Sequence, residues 1–143
     1  MRVMHRHLGS VIHAPDGTNT VRLPGPDHPI SISANGNRVR VTFAGHVVAD
    51  TTHALTLKEA SYKPVFYIPR TDANLNLLKT TDHRSHCPYK GDASYFTIEA
   101  DGRSAKNAAW SYEQPFPAMA EIKNYLAFYP DRVDAIEEIE RAS

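Results

Sequence analysis

Within the stretch NRVRVTFAG, residues 37–45, polar and apolar side chains alternate from Arg38 to Phe43. Val39, Val41 and Phe43 fall on one side, Arg38, Arg40 and Thr42 on the other. Successive side chains of a strand point to opposite faces, so a period of two predicts a half-buried strand. The pattern recurs along the chain. Gly45 permits a turn, and HVVAD returns as the second arm of a hairpin. HALTLKE alternates again, with Leu55 and Leu57 on one face. PVFYIP is a short β-branched and aromatic run closed by Pro69. SYFTIEA and NAAWSYE are further strand candidates. Short strands separated by turns, rather than alternating with long helices, predict antiparallel sheets.

Helical signals are fewer. Thr71 is placed to cap a brief helix over DANLNLLK, with Asp72 in its first turn. Pro117 stands where a helix would start, and Met119, Ile122, Tyr125 and Leu126 follow at helical spacing. Val133, Ile136 and Ile139 recur every third residue, which predicts a terminal helix with a solvated acidic face. The predicted class is mainly β with α (α+β), with two or three short helices. Residues 1–36 carry the turn signals APDG, PGPDHP and ANGN. They predict an irregular N-terminal arm packed on a single domain spanning 37–143, and a chain of 143 residues suits one domain.

Charge and cysteine usage exclude several partners. Lys plus Arg is 16 and Asp plus Glu is 16, so the basic excess of a dedicated nucleic-acid binder is missing. No apolar run reaches the ~18 residues of a membrane span. The opening MRVMHRHLGSVIHAPDG lacks the apolar core of a secretory signal. Cys87 is the single cysteine, so neither an intrachain disulfide nor the cysteine pairs of a zinc knuckle can form. These features predict a cytoplasmic chain with no nucleic-acid or membrane partner.

Several polar residues sit where a plain sheet protein would not put them. Continued by two residues, the Leu55–Leu57 face reaches Glu59. A carboxylate on the core side costs several kcal/mol unless it is paired or hydrogen-bonded. Either the strand ends at Lys58 and Glu59 turns to water, or Glu59 lines a cavity and meets a cation or substrate. In YIPRTD, Arg70 and Asp72 lie two apart; they form a local ion pair or cap, or Arg70 offers its planar fork to a carboxylate or phosphate. Cys87-Pro88-Tyr89-Lys90-Gly91 has the composition of a tight turn that would bring Cys87 and Lys90 to one side. Arg84 and Lys90 would favour a thiolate there and Asp92 would oppose it. The thiol is then a small buried hydrophobe, or a nucleophile or redox group. His83, His86 and Cys87 are of ligand type but lack an evident fourth partner, and His5 and His7 lie two apart near the start; neither group predicts a metal site. Among the aromatics, Phe96 and Ile98 share one strand face and Tyr95 takes the other, while Trp110 and Tyr112 share a face. On a curved sheet, Tyr95, Trp110 and Tyr112 would line one concave surface, either as ordinary packing or as a pocket wall.

These residues carry a resemblance. Residues ~28–134 are similar to the bacterial family catalogued as domain of unknown function 427. Its Gly-x-Val-x-Ala start is met at Gly45 to Ala49 and its Tyr-x-Pro-Arg-x-Asp step at Tyr67 to Asp72. Its Cys-Pro-x-Lys-Gly turn is met at Cys87 to Gly91 and its Trp-x-Tyr strand at Trp110 to Tyr112. Glu59 stands where the family has an acid, and His86 where relatives carry a hydroxyl or apolar residue. The resemblance implies a beta-tent-like fold, two antiparallel sheets joined along one edge. It implies no structural zinc, because the chain lacks the two cysteine pairs that some beta-tent proteins carry. Other proteins of that fold bind small molecules in aromatic cages or reduce methionine sulfoxide with a cysteine, which is an analogy of fold alone. The family also has a nucleotidyltransferase-like label, but the Gly-Ser with paired acids of that pattern is missing here.

Three functions follow as expectations. In the first, Glu59, Arg70, Asp72, Lys90, Tyr95, Trp110 and Tyr112 form one pocket for a small polar molecule, and an exposed Arg70–Lys90 pair would favour an anion. In the second, Cys87 is the nucleophile or redox group of an enzyme, with Lys90 as activating cation and Glu59 as acid or base. In the third, these groups satisfy one another in a structural or interaction domain. Apart from these, residues 1–75 carry +3 and residues 76–143 carry −3, which would allow a homo-oligomer through opposite charges. No cofactor and no metal is implied by any of the three.

Overall fold

The computed structural model of the protein describes residues 11–13 and 20–141. Strands β1 (Val11–His13) and β2 (Thr20–Arg22) pair as an antiparallel ribbon. β3 (Ile30–Asn35), β6 (Ala54–Glu59) and β7 (Val65–Tyr67) form a sheet in the order β3-β6-β7. β4 (Arg38–Phe43), β5 (His46–Thr51) and β12 (Ala135–Ile139) form a second, in the order β12-β4-β5. β8 (Leu78–Cys87), β9 (Gly91–Ala100), β10 (Arg103–Ser111) and β11 (Ala127–Phe128) form the third and largest, in the order β11-β10-β9-β8. Every pairing is antiparallel.

The alternation read from NRVRVTFAG holds: Val39, Val41 and Phe43 are buried and Arg38 is exposed. Edge strand β8 of the four-stranded sheet is largely exposed, while alternate residues of β9 are buried on opposite faces and part between two clusters. Phe96 and Ile98 join an aliphatic core with Val39, Val41, Val48 and Leu126. Ala93 and Tyr95 join a second cluster with Leu57, Tyr67, Cys87, Tyr89 and Tyr112. The large sheet and the β3-β6-β7 sheet meet at a seam. Ile68 donates to the Leu126 carbonyl at 2.7 Å, and Leu126 returns the bond at 2.8 Å. Among the described residues this is the single bridged pair of the seam.

The architecture is mainly β, with three antiparallel sheets and the ribbon rather than two sheets with α-helices. No α-helix occurs among the described residues. The helix predicted over DANLNLLK is two 3-10 turns, Arg70–Asp72 and Leu75–Leu77, and the side-chain cap comes from Asn74 rather than Thr71. The helix predicted after Pro117 is a 3-10 turn, Pro117–Ile122, interrupted at Met119 (φ −115°). Met119 and Ile122 are buried three residues apart, a spacing that a 3-10 turn satisfies as well as an α-helix does. Asn124 then takes φ 66°, left-handed backbone that stops any helical run. The predicted terminal helix is strand β12, whose Ile136 pairs with Val41 and whose Glu138 accepts from Asn35 and Asn37. Five residues are too few to fix a period, and an open edge of β4 decides the matter. Residues 30–35, assigned from sequence to the irregular arm, are strand β3, in register with β6 from Ile30–Glu59 to Asn35–Ala54. Among the described residues no helix is long and apolar enough to cross a membrane.

Candidate functional site

Strand β6 does not end at Lys58. It runs through Glu59, and the alternation that buries Leu57 leaves Glu59 only 6% exposed. Its partner arrives from the turn between β8 and β9. Lys90 N donates to the Cys87 carbonyl at 3.2 Å, closing the turn with Pro88 in its second position. Gly91 follows at φ 115°, backbone that favours glycine. The turn folds the Lys90 side chain inward. Nζ donates to Glu59 Oε1 at 2.6 Å and to Cys87 Sγ at 3.5 Å. The other carboxylate oxygen, Oε2, lies 2.7 Å from His28 Nε2. His28 in turn stacks on Tyr89, with ring centroids 4.0 Å apart and planes 4° from parallel. A buried Glu–Lys pair is tolerable here because each charge meets its opposite and the second carboxylate oxygen is also engaged.

This cluster forms one end of a cavity of about 490 Å³, open to solvent, in the angle between the β3-β6-β7 sheet and the large sheet. Tyr67, Tyr95, Trp110, Tyr112 and Tyr129 line it. Tyr95 Oη is 2.7 Å from Ser85 Oγ and 3.3 Å from Tyr129 Oη. The Trp110 indole donates to Tyr67 Oη at 3.3 Å, and its ring lies 4.5 Å from that of Tyr129. Lys90 Nζ is 6.0 Å from the Tyr112 ring centroid. Tyr112 is 7% exposed, and its hydroxyl has no hydrogen-bond partner among the described residues. Burial pushes the Tyr112, Tyr67 and Tyr129 hydroxyls well above the ordinary tyrosine range. The neighbouring Tyr67, Cys87, Tyr95 and Glu59 add to the Tyr112 shift, and the hydrogen bond to Tyr95 adds to that of Tyr129. The bond from Trp110 partly offsets the shift of Tyr67.

Glu59, Cys87, Lys90, Tyr95, Trp110 and Tyr112, all singled out in the sequence, therefore line one cavity. Arg70 and Asp72 do not. Arg70 donates to Glu113 Oε2 and to the Asn124 carbonyl, both at 2.8 Å, and lies over the Phe96 ring on the other face of the sheet. Asp72 accepts from the Thr51 hydroxyl at 2.6 Å. The histidines near Cys87 are engaged separately: His83 meets the Tyr95 ring edge-on, and His86 pairs with Asp92 at 2.7 Å. Among the described residues no three His, Cys, Asp or Glu side chains gather as metal ligands, and His5 and His7 lie outside the described residues. His28, Tyr67 and Tyr129 were missed in the sequence. The period of two in PVFYIP would have found Tyr67, on the same face as Val65. His28 sits in a proline-rich turn, where no periodicity operates.

Compared with known families, residues 31–139 match the one described as Domain of unknown function (DUF427). The chain belongs to that family. No curated protein matches it.

Proposed function

We propose that the protein binds a small polar molecule in the cavity lined by Glu59, Lys90, Tyr95, Trp110 and Tyr112. The observation that carries this reading is the Tyr112 hydroxyl, unpartnered among the described residues on a side chain that lines a cavity also lined by a charged pair. A ligand that accepts from it gains a hydrogen bond worth about 0.5–1.5 kcal/mol net. The volume of about 490 Å³ falls in the range of small-molecule sites, roughly 300–1,000 Å³. The sheets joined at Ile68 and Leu126 support a tent-like arrangement in which the site occupies the fold's angle. Arg70 and Asp72 have no part in this reading. The test is a thermal-shift panel of nucleotides, amino acids and organic acids, repeated on Tyr112→Phe. A ligand at 100 times its Kd adds about 2.7 kcal/mol of stability. We expect at least one positive, weakened about two- to tenfold in Tyr112→Phe, the worth of one hydrogen bond. Silence across the panel contradicts the reading.

A second reading rests on the 3.5 Å contact between Lys90 Nζ and Cys87 Sγ, in a cavity that gives a substrate access to the sulfur. Cys87 would then be a nucleophile or redox group, with the amine and the Glu59 carboxylate beside it. Its test is the rate of Cys87 alkylation against pH. A reactive site shows a profile unlike that of a free thiol; parity with a free thiol, or no reaction, overturns it.

A further inference from the structure

The polar cavity has a neighbour of different character. A second cavity of about 450 Å³ lies along the same seam, with Val41, Phe66, Ile68, Phe128 and Ile136 among its walls. The two share Lys63, Val65, Trp110 and Tyr129. Their separation follows from strand alternation: Tyr67 of β7 faces the polar cavity, Phe66 and Ile68 face the apolar one, and Val65 stands at the edge of both. Because β7 and β11 are bridged only at Ile68 and Leu126 among the described residues, no backbone ladder closes the gap between Val65 and Tyr129. The Trp110 and Tyr129 rings stand in that gap.

The gap carries charge of both signs: Arg132 and Asp131 act in opposite senses on the Tyr129 hydroxyl, and Glu138, held by Asn35 and Asn37, lines a groove with Lys63. Lys63 lines both cavities and has no carboxylate partner among the described residues. Arg132 sits 4.4 Å from the Tyr129 ring centroid and donates to the Asn107 carbonyl, again with no carboxylate partner among them. The acidic group of the polar cavity, Glu59, is already held by Lys90 and His28. Lys63 is the charged side chain common to both cavities, and an incoming anion meets its ammonium, unpaired among the described residues, at the shared wall.

We infer that the ligand is an amphiphilic carboxylate. Its carboxylate lies at Lys63, its apolar chain enters the cavity of Phe66, Ile68 and Ile136, and its polar substituents reach the Tyr112 hydroxyl. This rests on the reading of the polar cavity given above, and extends it by naming the ligand class. The chain is committed to the apolar cavity because that space continues from the polar one and its remaining walls are almost wholly hydrocarbon and aromatic.

Trp110 is the single tryptophan and belongs to both cavities, so its fluorescence reports on each. The experiment titrates the full chain with acetate, butanoate, hexanoate and octanoate, with 1-octanol and octylamine as controls. The polar positives of the ligand panel are run alongside. Affinity of the carboxylates is expected to rise about fourfold per methylene until the cavity is full. Lys63→Met, an exposed position where folding is not at issue, should weaken octanoate about two- to fivefold and leave octanol unchanged. Ile136→Phe, which fills the apolar cavity, should abolish the gain with chain length while polar ligands still perturb Trp110. Affinity independent of chain length, or octylamine binding as well as octanoate, overturns the inference and leaves the polar site standing if the polar ligands bind. No response of Trp110 to any compound overturns both.

Discussion

On one face of the four-stranded sheet, Val39, Val41, Val48, Ile98 and Leu126 are all wholly inaccessible and touch one another. On the other face, Glu59, Lys90, Tyr95 and Tyr112 are nearly as buried, yet they surround an open cavity of about 490 Å³. Strand β9 supplies both sides, Ile98 to one and Tyr95 to the other, so the difference is one of chemistry and not of scaffold. Aliphatic side chains close a core because their contacts are non-directional and sum with area. A buried ion pair and several phenols are costly to enclose, and well-packed hydrocarbon of the same volume would serve stability at least as well. A chain that keeps them beside unfilled space has the composition of a site. The aliphatic face holds the fold, and the polar face is where we propose that a ligand binds.

The largest effect expected from this contrast follows removal of one charge. Lys90→Met leaves Glu59 buried with His28 as its remaining polar partner and should cost about 3–5 kcal/mol by urea denaturation. Ile98→Ala, on the aliphatic face, should cost about 2–5 kcal/mol through the cavity it opens. The two losses look alike; their rescue does not. A second substitution at Glu59 should recover the first, while no single polar change recovers the second.

Alkaline pH should separate the faces next. Tyr67, Tyr112 and Tyr129 have hydroxyls whose folded values are raised, so the native state favours the protonated form. The stability from that preference is fully present below the unfolded tyrosine value of about 10 and is lost as pH climbs above it. Tm should therefore hold up to about pH 10 and fall beyond, and Tyr67→Phe should lessen the fall. A Tm curve of the same shape in Tyr67→Phe would remove this residue from the account.

Smaller effects are expected away from the cavity. Arg70→Ala loses a half-exposed ion pair with Glu113 and the contact with Phe96, about 1 kcal/mol, with no change in ligand binding. Ser111→Ala should be neutral or slightly stabilising, within about 1 kcal/mol, because its wholly buried hydroxyl has no partner to lose.

What the sequence disclosed follows the same divide between local pattern and distant pairing. Strands with a clean period of two were legible, and that period carried Glu59 to the buried side of β6 before any contact was known. The turn at Cys87–Gly91 was legible because Pro88 and Gly91 impose backbone geometry of their own. Strand β12 was not: AIEEI has no strict alternation, and Glu137 and Glu138 lie exposed while pairing with β4 sets the backbone. Arg70 looked like a ligand-binding fork, but its partners Glu113 and Asn124 come from residues more than forty positions away. His28 reached the site across 31 positions, a contact written in no local motif.

The most direct measurement is urea denaturation of the paired variant Glu59→Leu with Lys90→Met, set against wild type and each single variant. If the charged pair is kept for a ligand and not for the fold, the paired variant should match wild-type stability to within about 1 kcal/mol, or exceed it, while each single variant falls by about 3 kcal/mol or more. A paired variant as unstable as the single ones would show that these charges hold the structure together, and the account of the cavity as a binding site would fail with it.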